Sequence, residues 1–288
     1  MKKFITLLLI FTTLILLVFS LLLFFYNYQL KKVMTKQSKI NYLILGDSHL
    51  QGGINTNLFP NNNLNWAHSA ENYFYCKNKL QFLIDNQIKI DNLILAYGPH
   101  NVKKEIDSTW ILDENNFLEK CRVYFPFIKL NDLVQFNNFT KIAPFIYFEL
   151  LPELLYQSIY SLERQILIKK LPYTGGYEPI NSKLNIENKK LENKKLKNSE
   201  FSAIQLFYLN EIIEICKNNQ INLILLNAPV YSGEHANTPP SKNNNFKLFD
   251  YGDLYIGKRA YFADYVHLNA YGSNEFTKKL LLDLNNSK

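Results

Sequence analysis

Three short runs of nearly the same build restrict this chain more than anything else in it: "NYLILG" at 41–46, "DNLILAYG" at 91–98 and "INLILLNAP" at 221–229. Each is apolar at consecutive positions, and each is stopped by Gly, Asn or Pro. A strand with one wet face would alternate polar and apolar residues. A continuous apolar run of this length fits a strand buried on both faces, as in a parallel sheet. Helix-period segments separate and follow them: "ENYFYCKNKLQFLIDNQ" at 71–87, "EFSAIQLFYLNEIIEICKNNQ" at 200–220 and "NAYGSNEFTKKLLLDLN" at 269–285. Two weaker strand candidates, "LNWAHSA" at 64–70 and "FKLFDYG" at 246–252, complete an alternating order that predicts an α/β fold with helices on both faces of a parallel sheet.

The amino-terminal segment is of another kind. From Phe4 to Tyr26 there is no charged residue. As a helix this stretch would extend about 35 Å at 1.5 Å per residue, enough to cross a bilayer. A cleaved signal peptide would have a shorter core and a small-residue cleavage site. Here the run passes into "FFYNYQLKK". The expectation is an uncleaved transmembrane anchor over 1–30, a linker over 31–39 and a soluble domain over 40–288. Lys2 and Lys3 on one side are matched by lysines on the other, so charge asymmetry does not choose the orientation.

Within 40–288 two stretches break the α/β rhythm. Residues 108–170 have leucine-rich and aromatic helical periodicity, interrupted by Pro126, Pro144 and Pro152. Residues 172–200 begin with turn signals and continue as a Lys/Asn-rich segment with few apolar positions. It reads as a solvated surface insertion, with residues 181–198 expected to form a mobile or self-standing helical part away from the site.

Composition removes several function classes. The net charge of +7 suggests a nucleic-acid partner, but Lys2, Lys3, Lys31, Lys32, Lys36 and Lys39 supply most of it. The remaining body is close to neutral, so no basic footprint for nucleic acid is expected. Cys76, Cys121 and Cys216 contain no CxxC pair, and His49, His68 and His235 have no metal-ligand spacing, so neither zinc nor another metal is expected. There is no GxSxG, P-loop or GxGxxG.

Chemistry enters at the two ends of the domain. Ser48 follows the first strand in "LGDSHLQ", and "YFADYVHLNAYG" places Asp264 three residues before His267. A serine nucleophile needs a base in hydrogen-bond reach, and the base needs a third group to fix its tautomer. Ser48, His267 and Asp264 fit those three roles. Each also has a plain alternative: Ser48 as a helix N-cap, Asp264 as a turn cap and His267 as a surface residue.

Gly46-Asp47-Ser48 together with Asp264-x-x-His267-Leu268-Asn269 resembles the SGNH (GDSL) hydrolase family. The resemblance implies a three-layer α/β/α, flavodoxin-like fold and ester or acyl chemistry without metal or organic cofactor. It also implies an oxyanion hole from the N–H groups of Ser48 and of a residue after the second strand, plus an asparagine side chain. Here Ala70 stands about where the family has glycine. In "YGPHN", His100 stands where the family has asparagine and Asn101 is displaced by one position; either side chain could donate to the oxyanion, and Asn101 is the expected donor. Ala70 preserves the N–H provided the turn does not require a positive φ.

Anchored proteins of this type imply an extracytoplasmic esterase or acyltransferase acting on acyl, typically acetyl, esters of cell-envelope glycans, sometimes beside a membrane-embedded acyltransferase. The alternative from another class is an inactive scaffold of the same shape that partners a membrane complex.

Overall fold

A computed structural model of the protein describes residues 2–34, 38–60, 62–113, 176–185, 200–235 and 246–286, together with scattered positions between 116 and 135. The chain divides into two compact units, one of residues 1–36 with 114–173 and one of residues 37–113 with 174–288.

In the first unit, helix α1 spans Lys2–Met34 and so passes the boundary expected at residue 30. Many of its leucine, isoleucine and phenylalanine side chains up to Leu21 are exposed. The membrane span expected over Phe4–Tyr26 is nevertheless unsupported: among the described residues no helix is long and apolar enough to cross a membrane. Of the expected helical section 108–170, Asp107–Ile111 forms a π-helical turn, and 136–170 lies outside the described residues.

The second unit is α/β, built on a five-stranded parallel sheet. Its strands are β1 (Lys39–Leu45), β2 (Asn63–Asn65), β3 (Lys89–Ala96), β4 (Asn222–Asn227) and β5 (Phe246–Asp250). Their order is β2-β1-β3-β4-β5, all parallel, consistent with a flavodoxin-like fold. Both weak strand candidates thus take edge positions. The helices are α2 (Ser48–Gly53), α3 (Tyr73–Asp85), the short α4 (Pro99–Val102), α5 (Ala203–Asn218) and α6 (Ala270–Asn286).

The apolar runs bury on both faces because successive side chains point to opposite sides of a strand. Ile44, Ile94, Ile224 and Leu226 pack with Leu50 of α2 and Phe276 and Leu280 of α6. Their neighbours Leu43, Leu45, Leu93, Leu95 and Leu225 are equally buried on the other face. α3 packs against α5, and α2 against α6.

Two helices turn back into strands by the same device. After α3, Gln87 has φ 62, with Ile88 N–H donating to Leu83 O and Gln87 N–H to Ile84 O. After α5, Gln220 has φ 57, with Ile221 bonded to Cys216 O and Gln220 to Lys217 O. Both are Schellman caps that use glutamine where glycine is usual. Each sends the chain directly into a central strand.

Candidate active site

The order β2-β1-β3 means that the chain leaves β1 in one direction and re-enters at β3 on the other side. The crevice at the carboxyl ends of β1 and β3 is where ligands gather in such sheets. Gly46 ends β1 with φ 144, and a Cβ there would lie 2.4 Å from Ala96 Cβ. No other residue fits so close an approach of the two strands. Asp47 then caps α2, its Oδ1 accepting from His49 N–H at 3.0 Å. The cap places Ser48 at the first position of α2, so it is Asp47 and not Ser48 that caps the helix.

His267 Nε2 lies 2.8 Å from Ser48 Oγ, and His267 Nδ1 lies 2.8 Å from Asp264 Oδ2. Residues 219 apart in sequence thus form one continuous hydrogen-bonded run. Asp264 holds its loop as well as the imidazole: its Oδ1 accepts from the N–H groups of Val266 and His267, both at 2.8 Å. Partial burial opposes ionisation of Asp264, but the His267 hydrogen bond and the two backbone donors outweigh it and lower its pKa. Asn269 ties the same loop to the preceding turn, with Nδ2 donating to Ala260 O and Phe262 O and Oδ1 accepting from Gly272 N–H.

Across the crevice, Asp47 joins the β1 turn to the β3 turn. Its Oδ2 accepts from His100 Nε2 and from Asn101 Nδ2, each at 2.7 Å. Asn101 Oδ1 accepts from Gly98 N–H at 2.7 Å. One amide therefore bonds both the β3 turn and Asp47. Burial works against the Asp47 carboxylate; the charge and hydrogen bond of His100, the nearby His49 and the Asn101 amide still hold it well below the usual range. The same pair raises the pKa of His100 against the opposing effect of its burial.

His49 stacks on His100 at 4.1 Å between ring centroids and lies 5.2 Å from the His267 ring. Burial, then the neighbouring His100 charge, pushes His49 down to about 3. It is a neutral ring at physiological pH, and its buried Nδ1 has no hydrogen-bond partner.

Ala70 lies in the turn whose Glu71 N–H donates to His68 O at 3.1 Å, and its φ is +54. A positive φ at the third residue of a turn is the position at which glycine is favoured. The proviso attached to Ala70 is therefore not met: the N–H is retained, but in a backbone conformation that costs an alanine about 1–2 kcal/mol. Neither Ser48 N–H nor Ala70 N–H is engaged in a turn, cap or side-chain hydrogen bond among the described residues.

Ser48, Ala70, Asn101 and His267 all line one cavity of about 310 Å³. It continues inward past Asn72 and Tyr73 at the start of α3 to Cys76 and Gln205, all buried. Cys76 and Cys216 are free thiols, and Cys121 lies outside the described residues. A larger cavity of about 1120 Å³ opens at the opposite, amino-terminal ends of the strands, lined by Gln87, Asp91 and Asn219 among others. It contains none of the residues with nucleophile or base geometry. Among the described residues no group of three or more His, Cys, Asp or Glu side chains could hold a metal ion.

Sequence reasoning did not anticipate the Asp47–His100 pair, because the two residues belong to different turns. Asp47 registered only as part of "GDS". His49 lines the cavity, whereas His68 turns its ring to Ser69 O and is not among the lining residues.

The fold and site define a parallel α/β domain with a Ser–His–Asp hydrogen-bonded run at its strand carboxyl ends. No family model matches the chain, and no curated protein matches it.

Proposed function

We propose that the chain is a serine-dependent esterase or acyltransferase of the SGNH type, with the three-layer arrangement that family implies. The observation that carries the proposal is the run Ser48 Oγ–His267 Nε2 at 2.8 Å and His267 Nδ1–Asp264 Oδ2 at 2.8 Å. In the acylation step Ser48 Oγ bonds to the ester carbonyl carbon as its proton passes to His267 Nε2. The carbonyl oxygen becomes an oxyanion beside the N–H groups of Ser48 and Ala70. Collapse of that adduct breaks the bond to the alcohol, which leaves with the proton from His267. Water or a sugar hydroxyl then bonds to the acyl carbon as its proton passes to His267, and collapse of this second adduct breaks the bond to Ser48 Oγ, which takes that proton, giving hydrolysis or transfer. No metal or organic cofactor has a role in this chemistry. The 310 Å³ cavity is at the small end for ligand sites, which favours a short acyl group such as acetyl.

Within the same proposal, the uncharged segment Phe4–Tyr26 anchors the domain in a membrane, facing the extracytoplasmic side. The partners are then the membrane, an acylated envelope glycan and, for transfer, a membrane-embedded acyltransferase. A phosphatase fused after Lys288 would be active outside the cytoplasm. An inactive phosphatase together with an active cytoplasmic reporter at the same junction would overturn the placement but not the triad.

The second reading is an inactive scaffold of this fold. It is favoured by the Asn101 amide bonding to Asp47 and Gly98, and by the strained Ala70. Hydrolysis of a small aryl acetate by the full chain decides between them. Turnover abolished by Ser48→Ala supports the enzyme; turnover that survives it, or none in the wild type, removes the esterase reading.

A further inference from the structure

Residues 176–185 belong to the 172–200 stretch that sequence assigns to a solvated insertion, and only 181–185 of them to the part expected to lie away from the site. They form neither helix nor strand, and residues 186–199 lie outside the described residues. The described ten are bonded at successive points to the segments that supply Ser48, His267 and Ala70. Gly176 N–H donates to Ala67 O at 3.0 Å, in the stretch leading to Ala70. Glu178 N–H donates to Gln51 O at 3.2 Å, and Gln51 Nε2 donates back to Glu178 Oε2 at 3.1 Å, one helical turn after Ser48. Ile180 packs its side chain over Gly52 of the same helix, and Ile180 O accepts from Ala270 N–H at 2.8 Å, three residues after His267. Tyr177 OH is 2.9 Å from Ser273 Oγ on α6. Leu184 N–H donates to Phe262 O at 2.9 Å, at the start of the histidine loop.

We propose that 176–185 is a positioning strap that sets the distance between Ser48, His267 and the Ala70 turn, with Glu178 and Gly176 as its positioning residues. The proposal rests on the esterase reading for its functional meaning. The physical need is plain. α2 has only six residues, and the histidine loop is irregular, so neither element alone fixes an oxygen against a ring nitrogen from the other end of the chain. A strap hydrogen-bonded to both, and to the turn bearing the second oxyanion donor, converts three separately adjustable segments into one unit. A misplacement of about 1 Å in such a run can cost ~10²-fold in rate, whereas binding of a small ester is nearly indifferent to it. The strap's entry is itself conformationally specified: Gly176 has φ 135, and a Cβ there would meet open space except for Asn65 O at 3.7 Å. Gly176→Ala therefore unseats the strap by backbone strain, without a clash in the core.

The test compares the full chain with Glu178→Gln, Glu178→Ala and Gly176→Ala/Glu178→Ala. The readouts are the acylation rate of Ser48 by an aryl acetate under single-turnover conditions, KM, thermal stability, and amide hydrogen exchange over 262–270. Glu178→Gln keeps an acceptor for Gln51 and stays within about twofold of wild type. The double variant loses about tenfold in acylation rate at unchanged KM, with faster exchange at Ala270. Two outcomes overturn the strap: acylation within twofold of wild type in the double variant, or a lower melting temperature with an unchanged rate per folded molecule. If the wild type itself forms no acyl-enzyme, the esterase reading fails. The strap is then judged on exchange alone, and unchanged protection over 262–270 rejects it.

Discussion

Ala70→Gly should make this protein more stable, against the usual direction of such a change. At an ordinary position, glycine widens the unfolded ensemble and costs about 0.4–1 kcal/mol. At φ +54, alanine carries about 1–2 kcal/mol of steric cost that glycine does not. The difference leaves a net gain between about 0 and 1.6 kcal/mol, centred near ~0.8, and each kcal/mol raises the melting temperature of a domain this size by about 2–4 °C. Urea unfolding followed by the fluorescence of the buried Trp66 reads the midpoint; an unchanged slope would show that only stability has moved. Ala67→Gly is the control, because Ala67 is fully buried in the same stretch and has no positive φ. It should lose stability. If Ala70→Gly falls as far as Ala67→Gly, Ala70 is not strained and the reasoning about its turn is wrong. The N–H of residue 70 survives in either case, so the acylation rate should hold or rise.

Two further predictions concern the ionisable groups. Asp264→Asn retains an acceptor for the Val266 and His267 N–H groups, so the loop stays folded, but its amide donates to His267 Nδ1 and fixes the wrong tautomer; aryl acetate turnover should fall about 10²–10⁴-fold with little change in melting temperature. His49 is lowered from 6.5 to about 3 on folding, so its contribution to stability is complete above about 6.5 and is lost as pH falls toward 3; His49→Phe should flatten the stability profile over that window, and an unchanged slope would refute the assignment of a neutral, buried His49.

The strands and the residues of the Ser48–His267–Asp264 hydrogen-bonded run were legible in the sequence for definite physical reasons. A strand buried on both faces must be continuously apolar, and β1, β3 and β4 declare themselves that way. Ser48, Asp264 and His267 were legible because local constraints fix their spacing: a strand-to-helix turn for the serine, and a three-residue loop closed by Asp264 for the histidine. Features set by tertiary approach were not. Gln87 and Gln220 take left-handed caps that glutamine does not advertise. Asp47 meets His100 only because β1 and β3 are neighbours, and the order of strands is not written in either turn. The proposed strap was not legible either, although six of its ten residues are exposed, as its polar composition implies. Its bonds are mostly made by backbone groups, which any sequence supplies. Ala70 was located, but its φ is a property of the turn and not of the residue.

The most direct measurement is reaction of the full chain with a serine-directed fluorophosphonate, followed by peptide mass spectrometry of the adduct. A single adduct on Ser48, lost in His267→Ala, is the expected result. An adduct on another serine, or an unreactive Ser48 in protein that melts cooperatively, would contradict the claim that Ser48, His267 and Asp264 form a working nucleophile.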